Sequence, residues 1–331
     1  VTDVVIVSDT HFDDNPNYPM KFEEDLAALR GIYRDAVTSR IRCIIHAGDL
    51  LERNDRVYAS VYVPVYDLIR WGEDNGVPTV IVAGNHDMKV LNNPGFNAIS
   101  PFGRSIIEGE VFNLEGNRSC VVWGTAILDI NDYTEIMCVP YYKDTADIIR
   151  TTEAMSVFKP CIMVGHFSAI GFDMRYGVFD RVILGHEHKF QLLNDNVMHL
   201  GSLFEHSFAD EGSGPGRYLL LSLPDDGLEV VTLEVNNNNI SRLFKTIPVN
   251  NPDDYDAYVK AVASGDYVNY YTRPSASSFG EDMKAKKLID KTINTSTDYL
   301  ITTYTEDNYK GSLSVDGVKA VGRYVVEIGG R

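Results

Sequence analysis

The chain alternates short apolar runs with polar stretches of helical length. Val4 to Val7, Cys43 to Ile45, Thr79 to Val82, Cys161 to Val164 and Val182 to Leu184 are unbroken and rich in β-branched residues, the pattern of buried strands. Phe22, Leu26, Leu29, Tyr33 and Val37 recur at three-four spacing, which predicts an amphipathic helix from near Pro19 to about Arg40. Arg56 to Asn75 reads as a second helix, with Val57, Val61, Val65, Leu68 and Gly72 on one face and Tyr58, Tyr62 and Tyr66 on another. Pro64 is expected to kink or break it. Residues 89 to 117 are turn-rich and predict a long loop. Strands near Cys120 to Trp123 and Ile136 to Pro140, a helix near Asp144 to Phe158, and strands at Val197 to Leu200, Tyr218 to Leu223 and Glu229 to Glu234 follow. The sum is an α/β fold in which the later strands complete a second sheet.

Asn236 to Asn239 is a run of four asparagines, poor in helix and strand propensity, and marks the expected boundary between a domain of residues 1–235 and a smaller one of residues 240–331. Beyond it, Ser241 to Val249, Tyr267 to Tyr271, Tyr299 to Thr305 and Tyr324 to Ile328 read as strands around helical pieces near Asp253 to Ala263 and Glu281 to Lys291.

The five apolar runs end in polar motifs: Asp9-Thr10-His11, Gly48-Asp49-Leu50-Leu51-Glu52-Arg53, Gly84-Asn85-His86-Asp87, Gly165-His166 and Gly185-His186-Glu187-His188. Ligands of open α/β sheets bind just beyond the carboxyl ends of strands, so five loops distant in sequence are expected to converge on one crevice. The residue types suit two divalent cations about 3.5–4 Å apart, which need a bridging carboxylate with imidazole and amide oxygen ligands around it. Asp49 is the natural bridge. Asp9, His11 and His188 would hold one cation, and Asn85, His166 and His186 the other. His86 is left over as a non-ligand able to contact a scissile phosphate and protonate the leaving oxygen.

In order and each behind a strand, these motifs resemble the calcineurin-like metallophosphoesterase superfamily, which implies a two-sheet sandwich flanked by helices. Phe179-Asp180-Arg181-Val182-Ile183-Leu184-Gly185-His186-Glu187-His188-Lys189, then His199-Leu200-Gly201-Ser202 and Phe208-Ala209-Asp210-Glu211, are similar to the SbcD/Mre-eleven family of DNA double-strand-break repair nucleases. The length is close to that of the compact phage members. The resemblance covers residues 1 to about 235 and is weak beyond. It implies a Mn²⁺-dependent exonuclease and endonuclease acting on double-strand DNA ends, dimeric, partnered by a coiled-coil ATPase of the SbcC/Rad-fifty type. It also implies that residues 240–331 form a small α+β capping domain that orients DNA. Where many members carry His or Asp, this chain has Glu52, whose carboxylate could orient His86 as a third catalytic-site group beside Asp49. Arg53 fits a phosphate contact or a salt bridge in its loop. The tyrosines after the second motif fit a dimer surface or burial against the sheet, and Lys284, Lys286, Lys287 and Lys291 fit a solvated helix face or a DNA contact. A stand-alone phosphodiesterase for cyclic nucleotides or other small phosphate esters would carry the same metal motifs.

Composition complicates the DNA reading. The formal net charge is −17, the wrong sign for gripping a polyanion unaided. Two divalent ions would cancel about four of those charges, so a basic partner or patch must do the gripping. No apolar run reaches the ~18–20 residues of a membrane span and the first residues read as a strand rather than a leader. The four cysteines, Cys43, Cys120, Cys138 and Cys161, form no Cys-x-x-Cys pair and read as buried thiols of a reducing cytoplasm, in a bacterial or phage-infected cell. Outside the motifs, His46 and His199 read as packed core residues, and His206 could approach the crevice.

Overall fold

A computed structural model describes residues 2–271 apart from 16, 17, 19, 56, 94–96, 170–178, 212, 214, 215, 224–231, 238–243, 249–256, 258, 259 and 262–265. Strand β1 (Thr2–Val7) lies parallel to β2 (Cys43–His46), and β2 to β3 (Thr79–Val82), with helices α1 (Lys21–Thr38) and α2 (Ala59–Asp74) as the connections. The short β4 (Arg104–Ile106) and β6 (Cys120–Val122) extend this sheet on one side, and β13 (Arg217–Leu223) and β14 (Thr232–Asn237) on the other, giving the order β14-β13-β1-β2-β3-β6-β4. The second sheet is built from β5 (Val111–Phe112), β7 (Ala126–Asp129), β8 (Glu135–Val139), β9 (Cys161–His166), β10 (Arg181–Gly185), β11 (Gln191–Leu192) and β12 (Val197–His199). Its order is β11-β12-β10-β9-β8-β7-β5, with helix α3 (Thr145–Ala154) between β8 and β9.

The apolar runs are continuous because both faces of each central strand are covered. Successive side chains of β1 point to opposite faces: Val4 and Ile6 join the core between the sheets, where they meet Ile45, Val82, Ile162, Val164 and Ile183. Val5 and Val7 join a different core with Leu26, Leu29 and Tyr33 of α1 and Val61, Val65 and Leu68 of α2. The outer face of the second sheet is covered in the same way, Met163, Val182 and Leu184 packing with Ile148 of α3. The result is a helix–sheet–sheet–helix sandwich. Each fully buried Val, Leu or Ile stabilises it by about 1.5–3 kcal/mol. Cys43, Cys120 and Cys138 lie between the sheets and Cys161 under α3, all buried and free of disulfides, and burial raises each thiol pKa.

β13 and β14, expected to complete the second sheet, instead extend the first, with β13 antiparallel to β1, and three further details bear on the sequence reading. Pro64 lies inside α2 without ending it. The hydrogen bond it forfeits would have gone to the Ser60 carbonyl near the exposed first turn, while Val61, Val65, Leu68 and Ile69 are buried on either side of it. The segment after the third motif is not one long loop: β4, β5 and the short turns Ser100–Phe102 and Glu115–Asn117 edge both sheets. The asparagine run does not end the strand before it, since Asn236 and Asn237 pair with Tyr218 and Arg217. Asparagine has low β propensity, but a register with six partner pairs outweighs it.

The chain divides into two compact units: Val1–Asp14 with Phe22–His206 and Ser213–Ser241, and Asn15–Lys21 with Ser207–Gly212 and Arg242–Arg331. In the second, β15 (Phe244–Pro248) pairs in parallel with β16 (Tyr267–Tyr271), and Tyr18 packs edge-on against the buried Phe244 ring at 5.1 Å. The expected strands at 299–305 and 324–328 and the lysine-bearing helix at 281–291 lie outside the described residues. No helix among the described residues is long and apolar enough to cross a membrane.

Candidate metal centre

The five motifs stand at the carboxyl ends of β1, β2, β3, β9 and β10, and the backbone ties them together. The loop after β1 runs alongside the loop after β2, with Asp9 N–H donating to Gly48 O at 3.0 Å, His11 N–H to Asp49 O at 3.0 Å and Phe12 N–H to Leu50 O at 3.1 Å. Asp87 is wholly buried and accepts from the N–H groups of Gly84, Leu50 and Leu51, which locks the third motif to the second. The second sheet is attached through the Asp9 carboxylate, which accepts from His186 N–H at 3.1 Å.

Close approach explains the motif glycines. A Cβ on Gly48, which has φ +98°, would lie 2.0 Å from His166 Nδ1, and one on Gly84 would lie 2.1 Å from Asp49 Oδ1. Asp9, His11, Asp49 and His186 all have positive φ, between 43° and 77°. Such strain in non-glycine residues, gathered at one place, is characteristic of functional sites.

Asp9, His11 and His188 form one cluster and Asp49, His166 and His186 another, the ligand atoms within each lying no more than 4.8 Å apart. Asn85 joins the second: its Oδ1 is 3.2 Å from His166 Nε2 and 3.0 Å from His186 Nδ1. Asp49 stands between the clusters. Its Oδ1 accepts from His86 N–H at 2.8 Å, which leaves Oδ2 facing His166 Nε2 at 3.1 Å and His11 Nε2 at 3.5 Å.

The tautomers follow from the outer partners. His11 Nδ1–H donates to Glu52 Oε2 at 2.7 Å and His166 Nδ1–H to Ala47 O at 2.8 Å, so both turn Nε2 into the crevice. Burial alone would lower the His166 pKa, but Asp49 and Asp9 raise it to about 10. For His11 too, burial is outweighed by Glu52, Asp49 and Asp9, and the pKa is raised. The anionic centre thus attracts positive charge onto its imidazoles. His11 Nε2 and His188 Nε2 face each other at 3.2 Å, a contact satisfied by one shared proton or by a cation between them. Divalent cations would displace those protons, and the donor set of carboxylates, imidazoles and one amide oxygen fits them.

His86 lies beside the clusters as a half-exposed ring. Its Nδ1–H donates to the backbone carbonyl of Glu52 at 2.8 Å. Here the structure corrects the expected role of Glu52, whose carboxylate is 3.6 Å from His86 Nδ1 and is spent on His11. A backbone carbonyl fixes the His86 ring at no cost in charge, which frees the side chain for the ligand. Burial would raise the Glu52 pKa, yet the His11 hydrogen bond and charge lower it. Glu52→Ala is therefore expected to weaken cation binding by about 10–100-fold, read from a Mn²⁺ titration, with the His86 ring still held.

The remaining histidines divide. His46 is buried against Thr10, whose hydroxyl donates to Leu50 O, so His46 Nε2–H donates to Thr10 Oγ1 at 3.0 Å. Burial and then His166 push its pKa down to about 3. His199 donates from Nδ1 to Gly185 O and accepts at Nε2 from Ala169 N–H, both at 3.2 Å. His206, by contrast, reaches the crevice: its Nε2 is 2.8 Å from Asp9 O. Its signal in sequence is its place beside Glu205 and before the Asp210-Glu211 loop. Tyr141, whose ring centroid lies 5.8 Å from that of His186, gave no sequence signal beyond a strand end. Arg53 forms no ion pair among the described residues, though its charge tempers the burial that raises the Asp13 pKa.

A sandwich of two mixed sheets with a carboxylate–imidazole centre at the strand ends fits a metal-dependent phosphoesterase. The chain belongs to the calcineurin-like phosphoesterase family, whose model matches residues 2–190, and membership indicates a metal-dependent phosphoester hydrolase, for which the clusters around Asp49 offer the ligands. Similar solved structures include a dimetal phosphatase from Danio rerio, 10% identical over 72% of this chain and 96% of that one, with a TM-score of 0.38. A single mutant of Vps29 from Entamoeba histolytica is 14% identical over 71% of this chain and 99% of its own, with a TM-score of 0.33. No curated protein sequence matches the chain.

Proposed function

We propose that the protein is a Mn²⁺-dependent exonuclease and endonuclease of double-strand DNA ends, the nuclease subunit of a complex with a coiled-coil ATPase of the SbcC/Rad-fifty type. The observation that carries this reading is the run from Gly185-His186-Glu187-His188 through His199-Leu200-Gly201-Ser202 to Asp210-Glu211, which resembles the SbcD/Mre-eleven nucleases. The second compact unit adds support: a small phosphate ester needs no such addition, whereas residues 240–331 as a capping domain would orient a polymer. The donor set contains no thiolate and mixes hard oxygens with imidazoles, consistent with Mn²⁺.

When bound, two cations supply Lewis acidity toward phosphate oxygens and a water of lowered pKa. The chain's own residues do the rest. Asp49 sets the spacing of the clusters, Glu52 holds His11 in the ligand tautomer, and His86 protonates the leaving oxygen from Nε2, its Nδ1 being engaged. Arg53 is available to a backbone phosphate. The net charge of −17 assigns the long-range grip on DNA to the ATPase, and a dimer would bring two crevices to one duplex. The same charge favours a second reading, a stand-alone phosphodiesterase for cyclic nucleotides or other small esters.

The purified full chain, given Mn²⁺ with an end-labelled linear duplex and in parallel a chromogenic phosphodiester, separates the two. End-directed cleavage of the duplex, alone or on addition of the ATPase, supports the nuclease. Hydrolysis of the chromogenic ester with the duplex intact even with the ATPase present would overturn it in favour of the small-molecule enzyme.

A further inference from the structure

We propose that His206 is a positioning residue that latches the first cation site, so that the segment from Gly201 to His206 acts as a strap joining the two motifs that build it. The first site draws Asp9 and His11 from the loop after β1, but His188 from the turn after β10, in the other sheet. The bond from His186 N–H to the Asp9 carboxylate already joins the two motifs, but it leaves the His188 end of the turn and the Asp9 backbone to be held by other contacts. The strap does so by alternating its attachments. Ser202 N–H and Oγ–H both donate to His188 O, at 3.0 and 3.3 Å. Leu203 N–H then donates to Ser8 O at 3.0 Å, and His206 Nε2–H ends the run on Asp9 O at 2.8 Å. Leu203 and Phe204, both wholly buried, anchor the middle of the strap in the core beside α1.

His206 adds more than one hydrogen bond. Its ring packs against two of the three residues of the first cluster, with centroids 4.7 Å from His11 and 5.2 Å from His188. His11 is then confined by Glu52 at Nδ1 and by His206 against its ring, and Asp9, whose φ of 49° is strained, is held through its own carbonyl. No comparable contact joins His206 to His166, His186 or Asn85 among the described residues. The latch therefore acts on one cation site of the pair.

The inference rests on the two-cation reading of the crevice, and a calorimetric Mn²⁺ titration of the metal-free full chain tests both separately. The wild type is expected to bind two equivalents. In His206→Phe, which keeps a ring and loses the donor, one of the two affinities should fall by about 10-fold or more while the other stays within error. His206→Gln, whose amide N–H can reach the same carbonyl, should restore most of the loss. Melting of the metal-free protein should be the same in all three. Two unchanged affinities in His206→Phe would overturn the latch. So would an equal fall in both, or a fall tracked by lower metal-free melting that Gln does not rescue, each of which would mean a general structural role. A wild type binding fewer than two equivalents would instead overturn the two-cation reading, and the latch with it.

Discussion

His86→Ala is expected to lower kcat by about 10²–10⁴-fold, the range of a positioned general acid, while both cation sites keep their affinity. The geometry separates the two functions. His86 Nδ1 is engaged by the Glu52 carbonyl at 2.8 Å, so the ring offers only Nε2 to a substrate; His86 also groups with His11 and Glu52, but it supplies no atom to the Asp9–His11–His188 or Asp49–His166–His186 cluster. Its backbone N–H, which donates to Asp49 Oδ1, survives the substitution, so the bridge keeps its orientation. An ester whose leaving group is a stable anion needs little protonation. The loss should therefore be much smaller on a chromogenic aryl diester than on an alkyl one, a contrast that stopped-flow or steady-state assays of the two substrates would reveal. A variant equally impaired on both, or one that had shed its metal, would refute the assignment of His86 as the acid.

Asp49→Asn should cost more, because one oxygen serves two sites. With Oδ1 fixed by His86 N–H, Oδ2 is the carboxylate oxygen that faces both His11 at 3.5 Å and His166 at 3.1 Å. Asparagine can keep the accepted hydrogen bond and must then present its NH₂ group where the shared ligand was, a donor aimed at cations. Both sites are expected to weaken together, by on the order of 100-fold or more given that even outer partners of metal ligands cost 10–100-fold. Activity should become undetectable at metal concentrations that saturate the wild type. Metal analysis after gel filtration checks this, and a variant retaining one full equivalent would show that Asp49 belongs to a single site.

The contrast between the two histidines of the third and fourth motifs shows how much of the centre the sequence carried. The spacing of Asn85 and His86 after β3, and of His166 at the end of β9, follows from strands covered on both faces. Such strands announce themselves as apolar runs, and whatever polar residues follow them must lie at the sheet edge. That is why the convergence of the five loops was legible. What was not legible is direction within the crevice. Glu52 lies three residues after Asp49 and could face either neighbouring imidazole. Only the left-handed turns at Asp9, His11 and Asp49 decide that its carboxylate meets His11 and its carbonyl His86. For His206 the sequence offered an approach to the crevice but not its role, since a strap reports its contacts through backbone carbonyls that leave no mark on side-chain chemistry. Pro64, expected to kink or break α2, does not break it, because helix propensity near an exposed first turn yields to the burial of Val61, Val65 and Leu68. The edge strands β5 and β11, and β7 beside β5, are too short, or too embedded in turn-rich sequence, to show a period of their own.

Asp49 is expected to join two cation sites into one centre at the strand ends. The most direct test is the electron paramagnetic resonance spectrum of the full chain loaded with two equivalents of Mn²⁺. A shared carboxylate oxygen holds the ions about 3.5–4 Å apart, close enough for exchange coupling. The account predicts the multiline spectrum of a spin-coupled pair, lost in Asp49→Asn. The simple six-line signal of isolated Mn²⁺ at full loading of the wild type would contradict it.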